Sequence, residues 1–470
     1  LLLPKEKINR FLRHIIMPEI SGPGQKKLIE SKGLVVSPSP ESAIPLVFYL
    51  AALGIENLYC YFKSYDEYYF FLKENLKDFN PDLKLFFLSE EEIESSIDEL
   101  DFCVFFDEFF VPEKFKEVPA VFALTSPWRG IIKTSKGATF LEEEDLLFPE
   151  SLKKISENSP GKILSRCFSG AICSIEAAKL VLKIGKTLDS PLYYDLLNMD
   201  FTNTFEPVNT EEPALFEENN FYELLSKAKV LIVGTGGLGS PAALALTLAG
   251  VGTIGLVDSD NVEISNLNRQ ILHSTSRINM PKVDSAEIFL KKLNPKINII
   301  KYHTRFTLEN SLEIVKDYDV VIDGVDNLPT RYLLNDVCVI SKKPLAEAGV
   351  LRFEGLGMTI VPGKGPCYRC VFPKMPPAGS IPSCSETGIL GPVPGVLGFI
   401  EATETVKIIT GAGKLLKGRL VFFDSMDLDF RTPEIKNNPE CPVCGQNPSI
   451  KDLKGEYGFI CENNNIERED

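Results

Sequence analysis

Val230-Leu231-Ile232-Val233-Gly234-Thr235-Gly236-Gly237-Leu238-Gly239-Ser240-Pro241-Ala242-Ala243-Leu244-Ala245-Leu246-Thr247-Leu248-Ala249-Gly250-Val251-Gly252-Thr253-Ile254-Gly255-Leu256-Val257 carries no charge from end to end. So long an apolar run invites reading as a membrane span, and it even has glycines at four-residue spacing. Its internal punctuation argues otherwise. Val230 to Val233 reads as a buried strand, the glycine cluster as a turn, Ser240 to Ala249 as a helix and Thr253 to Val257 as a second strand. That succession is a βαβ unit, which builds a parallel sheet flanked by helices.

Working outward, Gly234-x-Gly236-x-x-Gly239 lies between strand and helix, and Asp258 closes the next strand. Glycines let backbone amides approach a phosphate at the helix N-terminus, and the acid can meet a ribose hydroxyl. This much fits nicotinamide, flavin and ATP alike. The continuation, Asp258-Ser-Asp260-Asn-Val-Glu-Ile-Ser-Asn266-Leu-Asn268-Arg269-Gln270, followed by Pro281-Lys282-Val283, concentrates cations and amides just past the ribose carboxylate. Attack on a triphosphate needs such charge and hydride transfer does not, although Arg269 and Lys282 could also be solvated charges on helices. Farther on, Val320-Val321-Ile322-Asp323-Gly324-Val325-Asp326-Asn327 is an apolar strand running into acids. Asp326 at the strand's C-terminal end can face a magnesium ion; Asp326 or Asn327 can equally cap the next helix.

The chain also repeats itself. Leu34-Val35-Val36 and Leu50-Ala51-Ala52-Leu53-Gly54-Ile55 match Leu231-Ile232-Val233 and Thr247-Leu248-Ala249-Gly250-Val251-Gly252. Gly170 to Lys183, containing Glu176, lies over Gly395 to Ile408, containing Glu401; Tyr194-Asp195 lies over Phe423-Asp424. We read two tandem Rossmann-like α/β domains with mainly parallel sheets, 1–207 and 208–450, joined near Asn203 to Pro213 and followed by a polar tail, 451–470. The halves are not equivalent. Ser37-Pro38-Ser39-Pro40-Glu41-Ser42 replaces the glycine turn in the first, where prolines remove donors and Glu41 repels an anion.

Two or three domains suit 470 residues. A formal net charge of -15 argues against a nucleic-acid ligand, which is held mainly by Lys and Arg, and suits a small basic partner. The opening Leu1-Leu2-Leu3 is too short for an export signal, so a cytoplasmic protein with no membrane association is expected. Eleven cysteines include Cys367-Tyr-Arg-Cys370 and Cys441-Pro-Val-Cys444, two pairs whose turns present thiolates to a tetrahedral zinc ion; a redox dithiol is the alternative.

Together these motifs resemble the ThiF/MoeB/HesA family, prokaryotic relatives of ubiquitin-activating enzymes. The likeness covers nearly all of Ala228 to Gln446: Gly-x-Gly-Gly-Leu-Gly-Ser-Pro, Leu-Val-Asp-x-Asp, Ser-Asn-Leu-x-Arg-Gln, Pro-Lys-Val, Asp-Asn, Cys-Tyr-Arg-Cys, Gly-Pro-x-x-Gly-x-x-Gly and Cys-x-x-Cys-Gly. It implies ATP held by Gly234, Gly236, Gly237 and Gly239, ribose on Asp258, triphosphate on Asn266, Arg269 and Lys282, and magnesium on Asp326, with Asp260, Gln270 and Asn327 alongside. It also implies a structural zinc on Cys367, Cys370, Cys441 and Cys444. Arg10-Phe-Leu-Arg13-His14 resembles the family's opening helix, whose arginine enters a partner's site, so Arg13 is expected to complete one site within an intramolecular pseudo-dimer. Cys384, in a Pro- and Gly-rich loop read as mobile between Phe372 and Pro394, is a candidate for a covalent link or a plain thiol. The implied reaction is adenylation of the C-terminal glycine of a small ubiquitin-fold sulfur carrier with a diglycine end, a separate donor supplying sulfur. A peptide or natural-product precursor as substrate, a nucleotide-binding scaffold and a dehydrogenase are the alternatives.

Overall fold

Two eight-stranded sheets follow one another along the chain with the same strand order. The computed structural model describes residues 3–108, 112–137, 159–204, 220–377, 379 and 384–453. The first sheet comprises β1 (Lys32–Ser37), β2 (Asn57–Phe62), β3 (Lys84–Leu88), β4 (Phe102–Phe106), β5 (Ala120–Ser126), β6 (Arg129–Ser135), β7 (Leu192–Asp195) and β8 (Asp200–Thr202). The second comprises β9 (Lys229–Val233), β10 (Thr253–Val257), β11 (Asn298–Tyr302), β12 (Val320–Asp323), β13 (Leu345–Leu351), β14 (Glu354–Ile360), β15 (Val421–Asp424) and β16 (Asp429–Arg431). Their orders are β3-β2-β1-β4-β5-β6-β7-β8 and β11-β10-β9-β12-β13-β14-β15-β16. In each, the first five are parallel and the rest add antiparallel. The tandem read from sequence is therefore two copies of one topology, and the stretch 230–257 is β9, the helix Gly239–Leu248 and β10. Among the described residues no helix is long and apolar enough to cross a membrane.

Both crossover helices are buried on every side, which their near-absence of charge allows. Pro40–Leu53 begins on Ser39 with a capping box and ends on Gly54 at φ +95°. One hydrophobic cluster runs through both halves, joining Val47, Tyr49 and Phe168 to Leu244, Val396 and Phe399. At this seam the helix Val393–Thr410 comes so close to Pro40–Leu53 that a side chain at Gly395 would lie 2.4 Å from the Tyr49 ring. Phe201 of β8 stacks on Phe430 of β16 with centroids 4.2 Å apart.

The two longest helices, Pro160–Leu182 and Val393–Thr410, each carry a buried ion pair that reaches across the seam. Lys179 pairs with Glu176 at 2.6 Å and donates to the Ser425 carbonyl at 3.3 Å; Lys407 pairs with Glu404 at 2.6 Å and donates to the Leu196 carbonyl at 3.1 Å. Thr134 and the Leu188 amide complete Glu176, as Thr359 and the Leu416 amide complete Glu404. These contacts correct one sequence match. Glu176 corresponds to Glu404, one helical turn beyond Glu401, because the second helix has acids on successive turns and similarity alone picked the wrong one. The join near Asn203 to Pro213, the boundary at 207/208 and all but the first three residues of the tail 451–470 fall on or next to residues outside the described ones.

Removing one partner of a buried pair leaves an uncompensated charge, which costs about 3–5 kcal/mol. Lys407→Met is expected to lower the urea midpoint of unfolding accordingly, and adding Glu404→Gln to that variant to restore much of the loss.

Candidate active site

The sheet order reverses between β9 and β12, and it is beyond the carboxyl ends of strands at such a reversal that α/β sheets form the crevice that receives ligands. Gly234, at φ +93°, follows β9 and presses on Gly324 after β12; a side chain at Gly234 would sit 2.5 Å from the Gly324 carbonyl. Glycine is required there by both conformation and space. The turn is held by Asp258, whose Oδ2 accepts the Thr235 amide at 2.8 Å and its hydroxyl at 2.9 Å, while Oδ1 accepts the Asp260 amide at 2.9 Å. The following helix starts at Gly239 with no side-chain cap, so the partial positive charge of its first turn is not offset by a capping side chain.

The matching place in the first half is closed. Its helix is capped by Ser39, and the Glu41 amide donates to Asp66 at 3.2 Å. Asp107, just past β4, takes the Thr125 amide at 2.6 Å, Lys162 at 3.1 Å and Arg166 at 3.2 Å. Burial pushes the Glu41 carboxyl up despite Arg166.

Around the open turn the structure gathers the predicted polar residues. Arg269 Nη1 donates to the Ser265 carbonyl at 3.0 Å and to Asn268 Oδ1 at 2.8 Å, and its Cδ lies 3.6 Å from where a Gly237 side chain would begin. Asn268 and Gln270 are buried, and Asn268 Nδ2 and Gln270 Oε1 lack hydrogen-bond partners among the described residues. A buried unsatisfied polar atom costs about 1–3 kcal/mol, so a donor and an acceptor left open beside an uncapped glycine turn fit a polar ligand such as a nucleotide. Asn266 is spent locally, accepting the Glu263 amide at 3.0 Å. Lys282 is nearly buried and pairs with exposed Asp260 at 2.9 Å. Asp326 is exposed two residues past Gly324. Asn327 is the helix cap, accepting the Thr330 amide at 3.1 Å.

Arg13 comes to the same ground from the first half. Its carbonyl accepts the Ile389 amide at 3.0 Å, and the next residue, His14, accepts the Gly391 amide at Nε2 at 3.0 Å. A side chain at Gly391 would lie 2.0 Å from the Asn268 carbonyl. His14 Nδ1 bonds Gln25 Oε1 at 2.9 Å, and burial, with Arg269 adding repulsion, pushes its pKa down to about 4. Residues 388–391 are thereby pinned, which corrects the reading of that end of the Phe372 to Pro394 loop as mobile. Cys384 begins the short helix Cys384–Thr387, and its side chain lies outside the described residues.

Sequence reasoning missed the floor of the crevice. Arg331 Nε donates to buried Asp323 at 3.0 Å and lies 3.2 Å from Glu347 Oε1, close enough for an ion pair but not aligned as a hydrogen bond. Burial, reinforced by Asp323, pushes Glu347 up to about 8, and burial likewise raises Glu401. Two buried acids, Asp323 and Glu347, thus share one guanidinium, with buried Glu401 a third carboxyl nearby. Spacing of single acids on β12, β13 and a distant helix carries no signal of such a cluster.

Cys367, Cys370, Cys441 and Cys444 bring their sulfurs within 4.8 Å of one another. Turns closed by Cys370 N–H to Cys367 O at 2.9 Å and Gly445 N–H to Cys441 O at 3.1 Å aim both pairs inward. This cluster is compatible with zinc, and four thiolates would leave no open coordination position. It is tied to the helix that Asn327 caps, through Tyr368 N–H to Asn335 Oδ1 at 2.9 Å and Arg369 to Asp336 at 2.8 Å.

The ThiF family model matches residues 208–443. The chain is 44% identical over 244 residues to the sulfur carrier protein adenylyltransferase of Thermus thermophilus, covering 51% of this chain and 90% of that protein. It is 46% identical over 231 residues to the SAMP-activating enzyme E1 of Haloferax volcanii, covering 49% and 85%. With the adenylyltransferase and sulfurtransferase MOCS3 of Culex quinquefasciatus it shares 46% identity over 230 residues, 49% of this chain and 52% of the relative. A crystal structure of E. coli MccB with MccA-N7isoASN aligns at 25% identity and TM-score 0.45, over 48% of this chain and 70% of that one.

Because Glu347 holds its proton more tightly folded than unfolded, its contribution to stability is complete below an unfolded pKa of about 4.3 and is lost as pH rises toward about 8. Thermal unfolding at several pH values should therefore show Glu347→Gln gaining on the wild type between about pH 5 and pH 8. A difference that stays constant with pH would contradict the assignment.

Proposed function

We propose that this chain, which belongs to the ThiF family, transfers adenylate from ATP to the C-terminal carboxylate of a small ubiquitin-fold sulfur carrier. The observation that carries this is the pair of open buried groups, Asn268 Nδ2 and Gln270 Oε1, beside Arg269 and an uncapped glycine turn. The names of relatives, a sulfur carrier protein adenylyltransferase and a SAMP-activating E1, support the substrate class.

A carboxylate oxygen attacks the α-phosphorus, the bond to the β-phosphate oxygen breaks, and pyrophosphate leaves with that electron pair. The products are an acyl-adenylate and pyrophosphate. A glycine carboxylate is already ionised near neutrality, so no general base is needed. Alignment and charge stabilisation must supply the rate. Asp258 would face the ribose, the Gly234 to Gly239 turn the phosphates, and Arg13, Arg269 and Lys282 the charge that grows on them. Lys282 would exchange Asp260 for phosphate oxygen. Asp326 would hold magnesium, whose charge would offset that of the phosphates when bound. Zinc on the four cysteines would brace the helix behind Asn327.

In this reading residues 1–207 are a degenerate half, 208–450 the adenylating half, and the two form one intramolecular pseudo-dimer. Sulfur comes from a separate donor after the adenylate forms.

Arg269→Ala and Lys282→Ala should each lower ATP–pyrophosphate exchange by about 100-fold with little change in melting temperature, the size expected for one lost transition-state donor. Near-normal exchange in either would sink the assignment. Adenylation uses no thiol, so Cys384→Ala should keep exchange at the wild-type rate; thiolation of a diglycine-ended carrier measured in the same variant reads any later role.

A further inference from the structure

A second line of contact runs from the first half to the glycine turn, separate from Arg13. The helix Tyr68–Phe79 ends against the segment that links Gln270 to Lys282. Asp78 Oδ2 accepts the hydroxyls of Ser274 at 2.7 Å and Ser276 at 2.9 Å, and Oδ1 accepts the Ser276 amide at 3.1 Å. Arg10 joins the same clamp, donating to the Phe79 carbonyl at 2.9 Å and to Thr275 Oγ1 at 2.7 Å.

From that clamp the bonds continue inward without a gap. Arg277 Nε donates to Ser274 Oγ at 2.7 Å, and its Nη1 donates to the Ser285 carbonyl. Ser285 lies on Lys282–Leu293, the helix that opens with the site lysine. His273 Nδ1 pairs with the Ser285 hydroxyl at 3.0 Å, and His273 Nε2 with the Thr235 carbonyl at 3.0 Å. A carbonyl can only accept, so Nε2 carries the proton and Nδ1 takes the serine's. Thr235 in turn bonds Asp258 through its amide and hydroxyl. His273 is wholly buried, and burial, with Lys282 next, holds it neutral with a pKa of about 3.

We propose that Asp78 of the nucleotide-free half and His273 are positioning residues for the ATP site, holding the glycine turn and the start of the Lys282 helix at a fixed separation. Neither touches the reacting atoms. Asp78 fixes the segment, His273 joins that segment to the turn, and the spacing between Thr235 and Lys282 follows. Each bond is saturated by a specific partner, so the turn cannot shift without breaking the set. The first half thus serves nucleotide binding even though its own crevice is shut.

The inference rests on the adenylation reading for its kinetic readout, but not for its binding readout. In the full chain, Asp78→Ala and His273→Ala should raise KM for ATP in pyrophosphate exchange by about tenfold while KM for the carrier moves less than about twofold. Asp78→Asn, which keeps one acceptor, should recover part of the loss. Lys186→Ala serves as an interface control, because Lys186 pairs with Asp427 across the exposed rim at 3.3 Å, away from this line; its KM for ATP should match the wild type. Titration with a fluorescent ATP analogue gives the same ranking without catalysis. If the analogue binds every variant as it binds the wild type, the proposal is overturned. Equal loss in Lys186→Ala and Asp78→Ala would also overturn it, since general loosening of the seam would then suffice. If the wild type shows no exchange but Asp78→Ala still weakens the analogue, the adenylation reading fails and the positioning role stands.

Discussion

The architecture depends on two buried ammonium groups that neither half can satisfy alone. Lys179 and Lys407 each have a glutamate one turn away on their own helix and a carbonyl acceptor from the opposite half. Taking an ammonium out of water costs several kcal/mol unless its donors are met. A hydrophobic seam by itself would tolerate sliding, because apolar contact is not directional. Reciprocal lysines at the centre of that seam do not. They fix the long helices against each other, and the helix Val393–Thr410 carries residue 395 against Tyr49 while its start lies beside the glycine turn.

Given that fixed seam, one topology supports two opposite electrostatic outcomes. In the first half, Asp107 draws Lys162 and Arg166 inward and a capping box consumes the helix end. The helix end and the acid after β4 are both taken there. In the second, Asp258 braces the turn without covering it, and the buried amides of Asn268 and Gln270 are left incomplete. An open site is costly in isolation, and the fixed frame around it offsets that cost. The shut half contributes Arg13, His14 and Asp78 to the frame.

Much of this was legible in the residues. The βαβ unit, the glycine turn, the acid after β10 and the paired cysteines depend on spacing along one segment, which sequence preserves. Helix register across the seam does not, since Glu401 and Glu404 look alike until their partners are known, and only Glu404 meets Thr359 and the Leu416 amide. His14 and His273 are buried singletons whose roles are set by what lies opposite, and no periodicity marks them. Asp326 and Asn327 were both open as the helix cap from sequence; geometry gave the cap to Asn327 because its side chain reaches the Thr330 amide.

Asp258 shows how little freedom the site retains. A carboxylate offers about four lone-pair positions. Three are already taken by the Thr235 amide, the Thr235 hydroxyl and the Asp260 amide. About one remains, which is enough for a single hydroxyl from the crevice and too little to let the carboxylate swing away. Asp260, held by that third bond, carries Lys282. A hydroxyl bound at Asp258 would therefore meet a carboxylate whose other bonds already hold the glycine turn and the amide of Asp260, the residue from which Lys282 would pass to a phosphate oxygen.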